Sequence, residues 1–209
     1  HPSGVSETVT VAPSALPAPS VHFGRVMPHE LSVGEIEEIV EAFGAAAERV
    51  IRAEFDGVEI AIAFGNLIPQ FLSEHANRRT DRYGGDLEGR MTFAKQCLAS
   101  VRAAIGPDAI LGVRYTDDEI DYGQDIDDIL EWIPSLCRPE QVDYVSLTAG
   151  TNYDLKSAAS IIPSHYHRPG QFSGLAARVK AVTGLPVIGS GRINTPRLAD
   201  QLVREGRMD

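Results

Sequence analysis

Phe55-Asp56-Gly57-Val58-Glu59-Ile60-Ala61-Ile62-Ala63-Phe64 is a short run in which β-branched and small apolar side chains crowd together. A run of this length and composition reads as a strand buried in a sheet, not as a helix. Upstream, Ser32 and Glu35 have the S-x-x-E spacing of a capping box. Ile36, Ile39, Val40, Phe43, Ala47 and Val50 then recur at helical spacing. Downstream, a second amphipathic helix carries Phe93, Cys97, Leu98 and Val101 and ends near Gly106-Pro107. The order repeats as strand 109–115, helix 126–137, strand 142–148, helix 175–182 and strand 185–190. Thr195 as N-cap with Pro196 at the first helical position opens a last helix.

Strict alternation of this kind means a parallel sheet with helical crossovers, an α/β fold. Near-continuously apolar strands suit a sheet covered on both faces. A closed (β/α)8 barrel takes about 250 residues, whereas a four-stranded doubly wound sheet fits within the 209 residues here. Alternation leaves both open. Residues 1–30 are rich in Pro, Ser, Ala and Val and read as an extended loop or lid segment, with residues 31–209 as the α/β domain. The chain opens without a methionine and stops where another strand is expected, so it reads as cut short at both ends.

The formal net charge of −10 argues against nucleic acid as partner, because phosphate binding needs a concentrated positive face. No apolar run long enough to span a membrane and no intact signal peptide is recognised, and two cysteines with no disulfide framework suit a reducing cytoplasm. Cys97 and Cys137 are far apart and read as small core residues. Small-molecule substrates, and a second copy of the chain, are the partners to consider.

In a parallel α/β fold, chemistry collects at the C-terminal ends of strands. Gly189-Ser190-Gly191-Arg192 follows the last strand and reads as a phosphate-binding turn or simply a tight one. Arg114, within an apolar strand, needs an acceptor: an internal Asp or an anionic ligand over the barrel mouth. After the first strand, Asn66 reads as a turn residue rather than a catalyst. Tyr153 and Asp154 lie in the loop after the third strand and either meet a substrate or satisfy the loop. Two look-alikes carry no metal reading: the acidic run 117–123 lacks the sixth-position glycine of a calcium loop, and His165 and His167 lack a third ligand.

Phe55-Asp56-Gly57-Val58-Glu59-Ile60, Gln70-Phe71-Leu72-Ser73, Asn77-Arg78-Arg79-Thr80-Asp81-Arg82-Tyr83-Gly84-Gly85 and Gly112-Val113-Arg114 together resemble the old yellow enzyme family of FMN-dependent NAD(P)H:flavin oxidoreductases. Within it the chain resembles the larger dienoyl-CoA reductase and amine demethylase branch. That resemblance implies a partial (β/α)8 barrel, covering about strands four to seven. It implies FMN as cofactor and NAD(P)H as the linked electron carrier; in that branch a [4Fe-4S] cluster and an FAD-type second nucleotide-binding domain lie in further regions. It gives Arg114 the pyrimidine edge of the flavin and gives Gly189, Ser190, Gly191 and Arg192 its phosphate. The 77–85 loop becomes architectural, with its Arg and Asp residues paired.

Where the family usually has a His and a His or Asn that clamp a substrate carbonyl, this chain has Ala61 and Phe64. Its tyrosine proton donor is replaced by Asn66, and a helix-ending glycine by Glu54. The resemblance therefore implies a substrate needing no oxyanion clamp, such as an N-methylated amine, with Phe64, Tyr153 and Asp154 around it and Asn66 and Tyr153 as the candidate proton-handling groups. Enoyl or dienoyl reduction with another proton source, or a non-catalytic barrel fragment, are the alternatives.

Overall fold

A computed structural model describes residues 10–17, 27–117, 126–151 and 155–209. Much of the expected lid, most of the acidic run 117–123, and Tyr153 and Asp154 lie outside the described residues.

The elements follow in chain order. Two-residue strands β1 (Val11–Ala12) and β2 (His29–Glu30) pair in parallel. Helix α1 (Val33–Arg52) leads to β3 (Gly57–Ile62), the short α2 (Leu67–Leu72), α3 (Leu87–Ile105) and β4 (Ile110–Asp117). Helix α4 (Ile126–Leu136), β5 (Tyr144–Ala149), α5 (Leu155–Ile161), α6 (Ser173–Thr183), β6 (Val187–Ile188) and α7 (Pro196–Arg204) complete the chain.

Sheet order decides between the two architectures that alternation left open. The main sheet runs β3-β4-β5-β6, all parallel and all in chain order. Successive right-handed crossovers in one direction put every helix on the same face of the sheet. A doubly wound sheet reverses direction at a switch point and has helices on both. Here the helix face buries Ile60, Ile62, Leu111, Val113, Tyr115, Val145, Leu147 and Val187 against Ile36, Phe93, Leu98, Ile129, Trp132 and Val179. The opposite face carries Glu59, Ala61, Arg114 and Ile188, and none of the described helices covers it. Within the described residues the sheet is thus an arc with helices on one face.

Local signals placed the helix starts. Ser32 accepts from the Glu35 N–H at 3.3 Å, and the Ser32 N–H donates to Glu35 Oε2 at 2.7 Å, closing the capping box. Thr195 caps α7 by accepting from the Leu198 N–H at 3.2 Å. Glu54 adopts φ 63° just past α1, the left-handed conformation that glycine takes at helix ends. Two helices escaped the sequence reading. The first, α2, is under two turns long and has Pro69 in its first turn, where no intrahelical N–H is needed; α5 is only one residue longer. The expected last strand, 185–190, contracts to β6; beyond it Ser190 Oγ donates to the Leu147 carbonyl at 2.8 Å. Cys97 and Cys137 are buried free thiols, each pushed up to about 12 by desolvation.

The Ser32 and His29 contacts to Glu35 have a pH consequence. The Ser32 N–H, then the Ser32 hydroxyl and His29, hold the Glu35 carboxyl down from 4.5 to about 2. A depressed folded value means the contribution is complete above the unfolded value and disappears as pH falls through about 2. Glu35→Gln therefore flattens the acid limb of stability between those limits. Urea midpoints of the two proteins measured across that range check this; parallel curves would refute it.

Candidate functional site at the strand ends

The 77–85 loop following α2 is a closed polar network. Asn77 Nδ2 donates to the Phe71 and Tyr83 carbonyls, both at 2.7 Å, and its Oδ1 accepts from the Arg79 N–H at 3.1 Å. Arg79, with a side chain only 5% exposed, grips Asp81 through Nε and Nη2 at 3.0 and 2.6 Å. Its Nη1 donates to the carbonyls of Pro13 at 2.9 Å and Leu31 at 2.5 Å. Arg79 in turn holds Asp81 below the usual carboxylate range. Arg90 donates to the Leu72 and Gly85 carbonyls at 2.9 Å each. These pairings tie the 10–17 segment and the start of α1 to the end of α2. They are architectural, and they fix where β3's exit loop stands.

That exit loop turns through two left-handed residues, Phe64 at φ 60° and Gly65 at φ 73°. Phenylalanine in this region is strained, and such strain gathers at functional sites. The Phe64 N–H donates to Thr116 Oγ1 at 3.0 Å, fastening the end of β3 to the end of β4. Asn66 is exposed and starts α2, without a side-chain capping bond.

On the uncovered face, Ala61, Arg114, Ser146 and Ile188 form one row across four strands. Arg114 is 44% exposed and Ile188 51%. Ile188 directly precedes the turn of Gly189, Ser190 and Gly191, so that turn begins at the C-terminal end of β6, next to the row that holds Arg114. Among the described residues, the backbone N–H groups of Ser190, Gly191 and Arg192 meet no backbone carbonyl. Gly191 and Arg192 follow one another at φ 105° and 58°. Unused N–H groups in such a turn are suited to an anion. Both glycines also have packing reasons: a Cβ on Gly189 would meet Met208 at 2.4 Å, and one on Gly191 would meet the Phe172 ring at 2.6 Å. Arg192 Nη1 donates to the His167 carbonyl, which ties that side chain to the loop before α6.

Arg114 has a protein partner that sequence reading missed. Its Nε lies 2.7 Å from Glu59 Oε1 on β3, and Tyr144 Oη on β5 donates to Glu59 Oε2 at 3.1 Å. Searching for an acid within Arg114's own strand could not find it, because the partner is on the adjoining strand. Two opposite charges, each interrupting an apolar strand, were the available signal. Burial first, then the Glu59 charge, raise the Tyr144 phenol and keep it a donor.

A parallel arc with its strands in chain order, a cation on its open face and a glycine turn at a strand end is the arrangement of a barrel segment. Residues 4–209 match the model of the NADH:flavin oxidoreductase / NADH oxidase family, and the chain belongs to that family. It is 38% identical over 208 residues to a metal reductase of Desulforamulus reducens, covering 99% of this chain and 30% of that protein. Among solved structures, it superimposes on 2-naphthoyl-CoA reductase with TM-score 0.84 at 30% identity, over 96% of this chain and 30% of that one. Histamine dehydrogenase from Rhizobium sp. 4-9 gives TM-score 0.85 at 27% identity, over 99% of this chain and 30% of that one. The chain thus spans about 30% of the length of these relatives and is part of an old yellow enzyme-type (β/α)8 barrel. No described helix is long and apolar enough to cross a membrane.

Proposed function

We propose that this chain forms the flavin-facing part of an FMN-dependent oxidoreductase whose substrate is an N-methylated amine. The observation that carries the flavin reading is that Arg114 lies on the uncovered face in one row with Ile188, after which the 189–191 turn begins. A fixed cation favours an anionic reduced ring, and unused N–H groups favour a phosphate. When bound, FMN supplies a hydride acceptor, and NAD(P)H is the linked carrier. Beside Arg114 the row offers Ala61, and the exit loop offers Phe64, so neither position clamps a substrate oxyanion. An amine needs no such clamp, and an aromatic face suits a methylated nitrogen. Tyr153 and Asp154, in the loop after β5, remain candidates to receive that nitrogen, and Asn66 to handle a proton at the α2 start.

Purified as the cell makes it, the protein should be yellow, and an N-methylated amine added without oxygen should bleach it. Arg114→Met should weaken FMN binding about tenfold or more, the loss of one charge-assisted contact. Colourless protein that takes up no FMN would sink the flavin reading. Turnover of enones with NADPH but no bleaching by amines would sink the amine assignment and leave the flavin one standing.

A further inference from the structure

The geometry points to Glu59 as a positioning residue: held by Tyr144, it orients and partly neutralises Arg114, and so sets how strongly that cation favours a reduced flavin on the open face. This rests on the flavin reading of the same site.

Three strands contribute. Register puts Glu59 of β3, Gly112 of β4 and Tyr144 of β5 in one row, with Arg114 one step further along β4. The Tyr144 phenol thus crosses over the middle strand to reach Glu59. Gly112 makes that crossing feasible, since a Cβ there would lie 2.1 Å from Tyr144 Cζ. Glycine inside a strand weakens it, and close approach by another group is the usual reason to find it there. Glu59 is 22% exposed against 44% for Arg114, so the carboxylate lies beneath and the guanidinium faces outward.

An ion pair this exposed contributes little to folding. Orientation is a different matter, because a free arginine spreads its charge over many rotamers. With Nε against Glu59, the guanidinium is held on the β3 side, next to Ala61. Each of the two carboxylate oxygens has one partner, Arg114 and Tyr144, so removing either partner shifts the other. Neutralising Glu59 uncovers the full Arg114 charge, and an anionic reduced ring gains more from that than a neutral oxidised one.

The test is the two-electron midpoint potential and the FMN dissociation constant of the protein as the cell makes it, against Glu59→Gln and Tyr144→Phe. Glu59→Gln should raise the potential, with reduced FMN gaining about tenfold in affinity over oxidised, equivalent to ~30 mV. Tyr144→Phe should move it the same way by a smaller factor, because the carboxylate loses its second anchor. Should Glu59→Gln fail to fold, Tyr144→Phe, which keeps the ring over Gly112, decides alone. An unchanged or lowered potential in variants that bind FMN overturns the role of Glu59. Wild-type protein that binds no FMN overturns the site reading, and this role with it.

Discussion

Arg79→Met will lower stability by about 3–5 kcal/mol, the larger share from two carbonyls that lose their donor. The Pro13 and Leu31 carbonyls both accept from Arg79 Nη1, and that side chain is 5% exposed, so water does not readily take its place. Each bond is charge-assisted, worth roughly 1.5–3 kcal/mol. Methionine conserves the aliphatic stem, so packing is not the cause. Asp81 loses its bidentate partner as well, but it is about one-third exposed and can rehydrate. Glu30, 3.9 Å from Nη1 and half exposed, adds little. The loss should be accompanied by early proteolysis of the 10–17 segment, which Arg79 ties to the domain. Equal urea midpoints for both proteins would show that the network has no energetic role. A large loss with no change in proteolysis would place the effect elsewhere in the loop.

How much was legible in the sequence follows from the range of each signal. Ser32 with Glu35, and Thr195 with Pro196, act within one helical turn, so their pattern survives in any fold that contains them. The strands from 55 onward were legible because burial on the helix face imposes β-branched runs. Strand order is different, since no local periodicity records whether a crossover goes left or right. The choice between arc and doubly wound sheet therefore waited for the β3-β4-β5-β6 order. The site divides the same way. Arg114 was conspicuous as a charge in an apolar strand, and Gly189 with Gly191 as a turn. The Glu59 partner was hidden 55 residues upstream, visible only once register joins β3 to β4. Nothing local explains a glycine at 112; its reason is Tyr144 lying across it from the next strand. Phe64 gave no hint of its left-handed backbone, because nothing in a phenylalanine side chain favours that region.

Asn77→Asp should be the most damaging near-isosteric change in the chain, costing about 3–5 kcal/mol at pH 8. Asn77 is buried and uses both Nδ2 hydrogens on carbonyls, those of Phe71 and Tyr83, at 2.7 Å each. The substitution keeps the shape and the acceptor facing the Arg79 N–H, yet it turns two donors into an acceptor that faces two acceptors. It also buries a charge, and the guanidinium of Arg79, two residues on, is already taken up by Asp81. Asn77→Ala, which removes the donors without adding charge, should cost about 2–3 kcal/mol. The two variants should separate further with pH. The introduced carboxyl titrates above its ordinary value of about 3.9 when folded, because burial and the two carbonyls both oppose its charge. Its penalty is then complete above that raised value and shrinks as pH falls, when the folded state takes up a proton and regains one donor. Urea midpoints at pH 8 and pH 5 should therefore converge for the Asp and Ala variants at the lower pH. Parallel behaviour at both, or an Asp variant as stable as the Ala one at pH 8, would mean that the Phe71 and Tyr83 carbonyls find other donors. The 77–85 loop would then be held by Arg79 alone.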